Sequence, residues 1–196
     1  MRVSVKTLIW YLATHCELKA PIVDLGARQS PNQLIVSDLR PLFPNREYIG
    51  CDMSAGVGVD KIENIEALTF KDSSIPTVLC LDTIEHVENP IKAFQEISRI
   101  ITEDGIVIVS SHMYAPIHYD PDYWRFTPRC FGDILLKDFQ SKILVVAGEE
   151  LFPELVIGIA TKAEKLPFDI NYAELNSMLP WSYPFGLRPV GAEEQQ

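Results

Sequence analysis

Basic residues are scarce in this chain: 17 Lys and Arg stand against 27 Asp and Glu in 196 residues, a formal charge of −10. That balance repels polyanions, so neither nucleic acid nor an acidic membrane surface is expected as a partner. Paired cysteines are missing too, since Cys16, Cys51, Cys80 and Cys130 form no C-x-x-C spacing of the kind zinc and redox sites use. The expectation is reduced thiols in a cytoplasmic protein. No run approaches the roughly 20 apolar residues that cross a bilayer. The opening MRVSVKTLIWYLATHCELKA has only a brief apolar stretch and no small-residue cleavage motif, so a signal peptide is not expected. Internal repeats and dividing linkers are absent as well. What is present is a 47% hydrophobic composition with 10% aromatics, enough for one domain with a sizeable core.

Periodicity supplies the architecture. Val5, Leu8, Ile9 and Leu12 recur at helical spacing and predict an amphipathic helix over 4–16. Residues 21–26, PIVDLG, are a short apolar run ending in glycine, which suits a buried parallel strand stopping at a tight loop. Ser30 and Pro31 supply an N-cap and a first helical residue for a helix that Pro41 and Pro44 end. Further strands are expected at 47–52, 57–62, 76–82 and 106–110. Asn89 and Pro90 open a helix with Ile91, Phe94, Ile97 and Ile101 on one face, stopped by residues 102–105. This alternation argues for an α/β fold built on a doubly wound, mostly parallel sheet. Thr127 and Pro128 start another helix reaching about Lys137, and strands at 141–147 and 155–162 follow with no helix between them, which predicts a C-terminal antiparallel pair. The chain is therefore read as one domain over 1–196: an N-terminal helix in 1–20, a core in 21–162 and a final segment in 163–196. In that segment Pro167, Pro180, Pro184 and Pro189 interrupt Phe168, Tyr172, Trp181, Tyr183 and Phe185. Such an aromatic tail is expected to dock on a surface, its own or that of a second copy in a homodimer.

In a doubly wound sheet, ligands sit beyond the carboxyl ends of the strands, where the loops after the first two strands meet. Gly26 and, 26 residues later, Asp52 fall there. The glycine lets backbone approach a ligand closely, and the carboxylate accepts both hydroxyls of a ribose. Alone, the pair also reads as a strand-ending glycine and a solvated aspartate.

Five segments in register go further: IVDLGARQS (22–30), YIGCDMSAGVGVD (48–60), VLCLDTIEHVENP (78–90), ISRIITEDGIVIVSS (97–111) and DYWRFTP (122–128). Over residues 21–162 the chain resembles the class I S-adenosylmethionine-dependent methyltransferases, and within them small proteins of the methyltransferase type 11 kind. The resemblance implies a Rossmann-like methyltransferase fold, S-adenosylmethionine as cofactor and a small-molecule methyl acceptor. It sets Asp24, Gly26, Ala27 and Arg28 near the methionine part, Asp52 and Met53 at the ribose, Asn64 and Ile65 beside adenine, and Leu81, Asp82 and Thr83 along the methyl-transfer path. Such transfer is a direct displacement, for which an enzyme supplies alignment and, for hydroxyl or amine acceptors, a base.

The chain also departs from that pattern. Arg28 and Ser30 stand where the family's loop usually has glycines, Pro76 where an aspartate commonly opens the fourth strand, and Asn64 where an acidic residue is common. Arg28 either obstructs the cofactor or pairs with its carboxylate. If obstruction wins, the chain is a catalytically silent methyltransferase-like scaffold. A nicotinamide-dependent oxidoreductase is disfavoured by the terminal strand pair and the glycine spacing. Some relatives with acid-x-x-Glu-His at this place hold a divalent metal, which makes Asp82, Glu85, His86 and His112, or His118, a minority ligand set against the simpler reading of an ordered exit loop. In the loop 112–124, His118 and Tyr123 are read together with His86 as catalytic candidates, while Trp124 and Phe126 are read as packing and Arg125 as satisfying buried carbonyls.

Overall fold

The computed structural model describes residues 2–30, 34–118, 120–149, 152–179 and 186–190. Eight strands form one sheet in the order β3-β2-β1-β4-β5-β7-β6-β8. They are β1 (Ile22–Leu25), β2 (Tyr48–Asp52), β3 (Lys61–Ile62), β4 (Ile75–Leu81), β5 (Ile101–His112), β6 (Ser141–Gly148), β7 (Pro153–Thr161) and β8 (Leu187–Pro189). The first five pair in parallel, with Asp24 opposite Gly50 and Leu81 opposite Ser110. β7 runs antiparallel to both β5 and β6, so the expected terminal pair is present. Because side chains alternate along a strand, each central strand feeds two cores. Val78, Cys80, Val107 and Val109 point to one, while Leu79, Leu81, Ile106 and Ile108 point to the other.

Helix α1 (Val3–His15) buries Val5, Leu8, Ile9 and Leu12 in the second core, as their spacing predicts. Helix α3 (Pro90–Ile100) starts at Asn89, whose side chain accepts from the Lys92 N–H, with Pro90 at the first turn. Its buried face is Pro90, Ala93, Phe94, Ile97 and Ile100. Phe94 and Ile97 lie on the expected face, whereas Ile91 is 46% exposed and Ile101 already belongs to β5.

Other boundaries also differ. Of the helix expected after Ser30, the described residues show α2 (Leu34–Ser37), which ends before Pro41 and is followed by a 3-10 turn at Arg40–Leu42; residues 31–33, Pro31 among them, lie outside the described residues. Asp38 explains part of this, since its carboxylate accepts the Arg40 N–H and so offers the backbone a turn in place of a helix, and Pro41 blocks continuation. β3 keeps only the last two of its expected residues, because Val57 and Gly58 are engaged with the loop after β1. β5 begins five residues early, with an irregularity between the Ile75 and Thr77 pairings. The helix from Pro128 is three residues of α4 (Pro128–Cys130) continued by a π-type turn at Phe131–Leu135.

The final segment docks within its own chain up to Leu179. Leu166, Phe168, Ile170 and Tyr172 pack on the second core, which buries Leu175 of α5 (Tyr172–Ser177), and the Asn171 N–H donates to the Tyr11 hydroxyl at 3.1 Å. β8 pairs with β6, a strand that the proline-rich pattern did not suggest. Pro180, Trp181, Tyr183, Pro184 and Phe185 lie outside the described residues. No described helix is long and apolar enough to cross a membrane.

Candidate functional site

The carboxyl ends of β1, β2, β4 and β5 bring two groups of residues to one edge of the sheet. On the first side, β1 ends at Gly26 with φ +89°, a conformation that favours glycine. Space also demands it there, because a Cβ on Gly26 would lie 2.1 Å from the Thr83 Oγ1. The Gly26 and Ala27 N–H groups both donate to the Cys51 carbonyl, at 2.8 and 2.9 Å. The Gln29 N–H donates to the Val57 carbonyl at 2.9 Å, lacing the loop after β1 to the loop after β2. At Gly58, with φ +90°, a Cβ would meet the Ala27 carbonyl oxygen at 2.5 Å. Close backbone approach is thus supplied by glycines of the second loop. Arg28 is exposed, with its stem against Gly56.

Asp24 is 6% exposed and accepts the Tyr48 hydroxyl at 2.6 Å. Burial raises its pKa to about 6, against the lowering effects of the Tyr48 hydrogen bond and the Arg40 charge. Asp52 is half-buried at the end of β2, and one of its oxygens accepts the Ser54 N–H at 2.9 Å. Among the described residues no hydrogen-bond partner holds the other oxygen. Met53 is 68% exposed. Asn64 turns its side chain onto the Glu66 N–H, and Ile65 is buried in the first core.

The second side is built from side chains. Leu81 is buried at the end of β4, and Asp82 follows it in a left-handed conformation, φ +48°. Its carboxylate accepts the Ser110 hydroxyl at 2.7 Å and the Arg2 N–H at 3.2 Å. Thr83 donates to the Leu81 carbonyl. Glu85 is wholly buried: Oε1 faces His112 Nδ1 at 2.8 Å, and Oε2 accepts the Ser111 hydroxyl at 2.8 Å. Burial pushes the Glu85 carboxyl up, but hydrogen bonds, led by that from His112, outweigh it and leave its pKa lowered.

The loop after β5 is clamped over this pair. The Tyr123 and Trp124 N–H groups donate to the Glu85 carbonyl, the Trp124 indole donates to the Val87 carbonyl, and Arg125 grips both Asp122 oxygens, at 2.6 and 2.9 Å, and reaches the Ala115 and Pro116 carbonyls. Phe126 is buried, whereas Tyr123 is 52% exposed. The loop brings the His118 ring between His86 and His112, at centroid distances of 5.1 and 4.9 Å. His86 Nδ1 faces the Pro121 carbonyl at 2.6 Å. Of the expected metal set, the residues that gather are Glu85 and His112 with His118, each offering a ligand atom within 4.8 Å of the others; Asp82 and His86 are not in that group. The Glu85–His112 pairing was legible only through register: Glu85 follows β4 and His112 ends the neighbouring parallel strand β5, and Leu81 at the end of β4 pairs with Ser110, two residues before His112.

Residues 39–109 match the family model of the methyltransferase domain. Solved structures match over most of the chain. A protein from Thermotoga maritima described as a possible histamine N-methyltransferase is 20% identical over 80% of this chain and 89% of its own, with a TM-score of 0.59. The fold is that of the class I S-adenosylmethionine-dependent methyltransferases. CurJ carbon methyltransferase matches this methyltransferase fold at 14% identity over 81% of the chain and 54% of its own length, TM-score 0.63. The trans-methyltransferase CalH, solved with SAH, matches at 14% over 82% and 56%, TM-score 0.58. No curated protein matches the chain in sequence.

Proposed function

We propose that the chain is an S-adenosylmethionine-dependent methyltransferase of a small molecule bearing a hydroxyl or amine, working in the reducing cytoplasm. The observation that carries this reading is the pair of loops at the carboxyl edge of β1 and β2, where the Gly26 turn lies beside a half-buried Asp52 with one carboxylate oxygen uncommitted among the described residues. A ribose hydroxyl is the donor such an oxygen suits. Buried Asp24, as an anion, suits the ammonium end of the same molecule, and Arg28, lying along Gly56, has the charge and reach for its carboxylate. When bound, the cofactor supplies a methyl group on a positively charged sulfur. The protein's part is to hold that carbon in line with the acceptor, keep water out beneath the clamped loop 113–126, and take up the acceptor's proton.

The test is binding followed by transfer. Purified chain is expected to copurify with, or retain through gel filtration, S-adenosylmethionine or its demethylated product, identified by mass spectrometry. Asp52→Ala is expected to weaken retention by about 1 to 3 kcal/mol through lost ribose hydrogen bonds. An Asp52→Ala protein that holds the nucleoside as well as the wild type removes that residue from the site.

A further inference from the structure

Resting on the methyltransferase reading, we propose that His112, set by Glu85, is the proton acceptor of this site and that the methyl acceptor is a hydroxyl compound. Three candidates were set out on sequence grounds: His86, whose Nδ1 faces the Pro121 carbonyl; His118, which lies 3.3 Å from an Asp122 carboxylate already gripped by Arg125; and Tyr123, which is 52% exposed. His112 has the tighter and more buried arrangement: its Nδ1 lies 2.8 Å from Oε1 of a carboxylate with no exposure, whose other oxygen is fixed by Ser111.

Three consequences follow from that geometry. A carboxylate only accepts, so Nδ1 carries the hydrogen, and in the neutral ring the lone pair is then on Nε2, across the ring. The Glu85 charge is in place before reaction, so an imidazolium formed at His112 is neutralised without moving any group. And the pair stands at the carboxyl ends of β4 and β5, with Glu85 just past Leu81 and His112 the last residue of β5, on the same edge as Gly26 and Asp52, where a doubly wound sheet binds its ligands. An amine in its free form attacks through a lone pair that it already has, whereas an alcohol or phenol becomes a strong nucleophile only as its proton leaves. A carboxylate-backed imidazole is the equipment of the second case. The O–H bond breaks with its proton passing to Nε2, the oxygen pair forms the new O–C bond, and the C–S bond breaks with its electrons remaining on sulfur; the imidazolium then returns its proton to water. Glu85 acts here as a positioning residue and stays ionised throughout.

The experiment is nitrogen NMR of the full chain carrying 15N-histidine, at mildly alkaline pH, with the His112 signals assigned by their loss in His112→Gln. The proposal expects a neutral ring protonated at Nδ1 and bare at Nε2, and scrambling of that tautomer in Glu85→Gln. A wild-type ring protonated at Nε2 overturns it, an outcome that needs no variant at the buried carboxylate. Stoichiometric Zn2+ that shifts the Nε2 signal also overturns it, because the site would then be a metal centre. Turnover is read as S-adenosylhomocysteine release with phenol and catechol against aniline and benzylamine. The expectation is methylation of the hydroxyl compounds, a fall in kcat of about 100-fold or more in His112→Gln with KM for S-adenosylmethionine kept, and loss of the wild-type pH profile in Glu85→Gln. Methylation of the amines alone contradicts the hydroxyl assignment. A chain that binds S-adenosylmethionine but fails the tautomer test loses only the proton-acceptor role, whereas a chain that binds no S-adenosylmethionine loses the methyltransferase reading itself.

Discussion

The two sides of the sheet's carboxyl edge reach order by opposite means. Beside β1 and β2 the work is done by backbone: Gly26 turns with positive φ, Gly58 lets one loop lie on another, and peptide groups such as Cys51 and Val57 knit them together, while Arg28 and Met53 remain exposed. Beside β4 and β5 it is done by side chains, with Glu85, Ser111, His112, Asp82 and Ser110 linked by hydrogen bonds and the overlying loop held by Arg125. A backbone-built site tolerates change in its side chains and little change in its glycines. A side-chain-built site should behave in the reverse way, because each buried polar group that loses a partner keeps its desolvation cost.

The largest effect that sharpens this contrast is expected from Gly26→Ala, which combines a positive φ with a 2.1 Å encounter with Thr83. A loss of about 3 kcal/mol or more in urea unfolding is predicted, partly recovered in the double variant with Thr83→Gly. A Gly26→Ala protein as stable as wild type would break the comparison on its first side.

Asp24 comes next. Its carboxyl binds a proton more tightly in the folded chain, with a pKa of about 6 against an ordinary 3.8. The contribution of Asp24 to folded-state stability is therefore greatest below pH 4, falls as pH rises from about 4 to 6, and is flat above. The two-unit shift sets the size of that fall at up to about 3 kcal/mol, and Asp24→Asn should flatten it. Binding of a cationic ligand end beside Asp24 favours the ionised form, so affinity for S-adenosylmethionine should rise between pH 5 and 7 with release of a proton. Calorimetry in buffers of different ionisation enthalpy measures that proton.

On the other side, Ser111→Ala takes one hydrogen bond from a buried carboxylate and is predicted to cost about 2 kcal/mol, with the His112 tautomer preserved. The smallest effect belongs to Met53→Ala, 68% exposed in the wild type, where thermal unfolding should change by less than about 0.5 kcal/mol. A large stability loss at Met53 would show that the first side depends on side chains after all.

The same contrast explains what could be read from sequence. The sheet was legible because burial on both faces writes continuous apolar runs such as those of β4 and β5, and α3 because Asn89 and Pro90 mark its start. Gly26 and Asp52 were legible because backbone turns and strand ends leave local marks. The helix after β1 was expected to run up to Pro41 and Pro44, but its described part ends at Ser37, where Asp38 offers the backbone a turn. β8 was missed because three residues after a glycine, one of them Pro189, carry no period, and its place is fixed by pairing with β6. His112 was seen as a ligand candidate and its bond to Glu85 was not, because 27 residues separate them in the chain and only the strand register brings them together.

The claim on which all of this depends is that the edge of β1 and β2 holds S-adenosylmethionine. Calorimetric titration of the full chain with S-adenosylhomocysteine tests it most directly. The account predicts saturable binding at one molecule per chain; a flat titration, from protein shown by mass spectrometry to carry no nucleoside already, would contradict it.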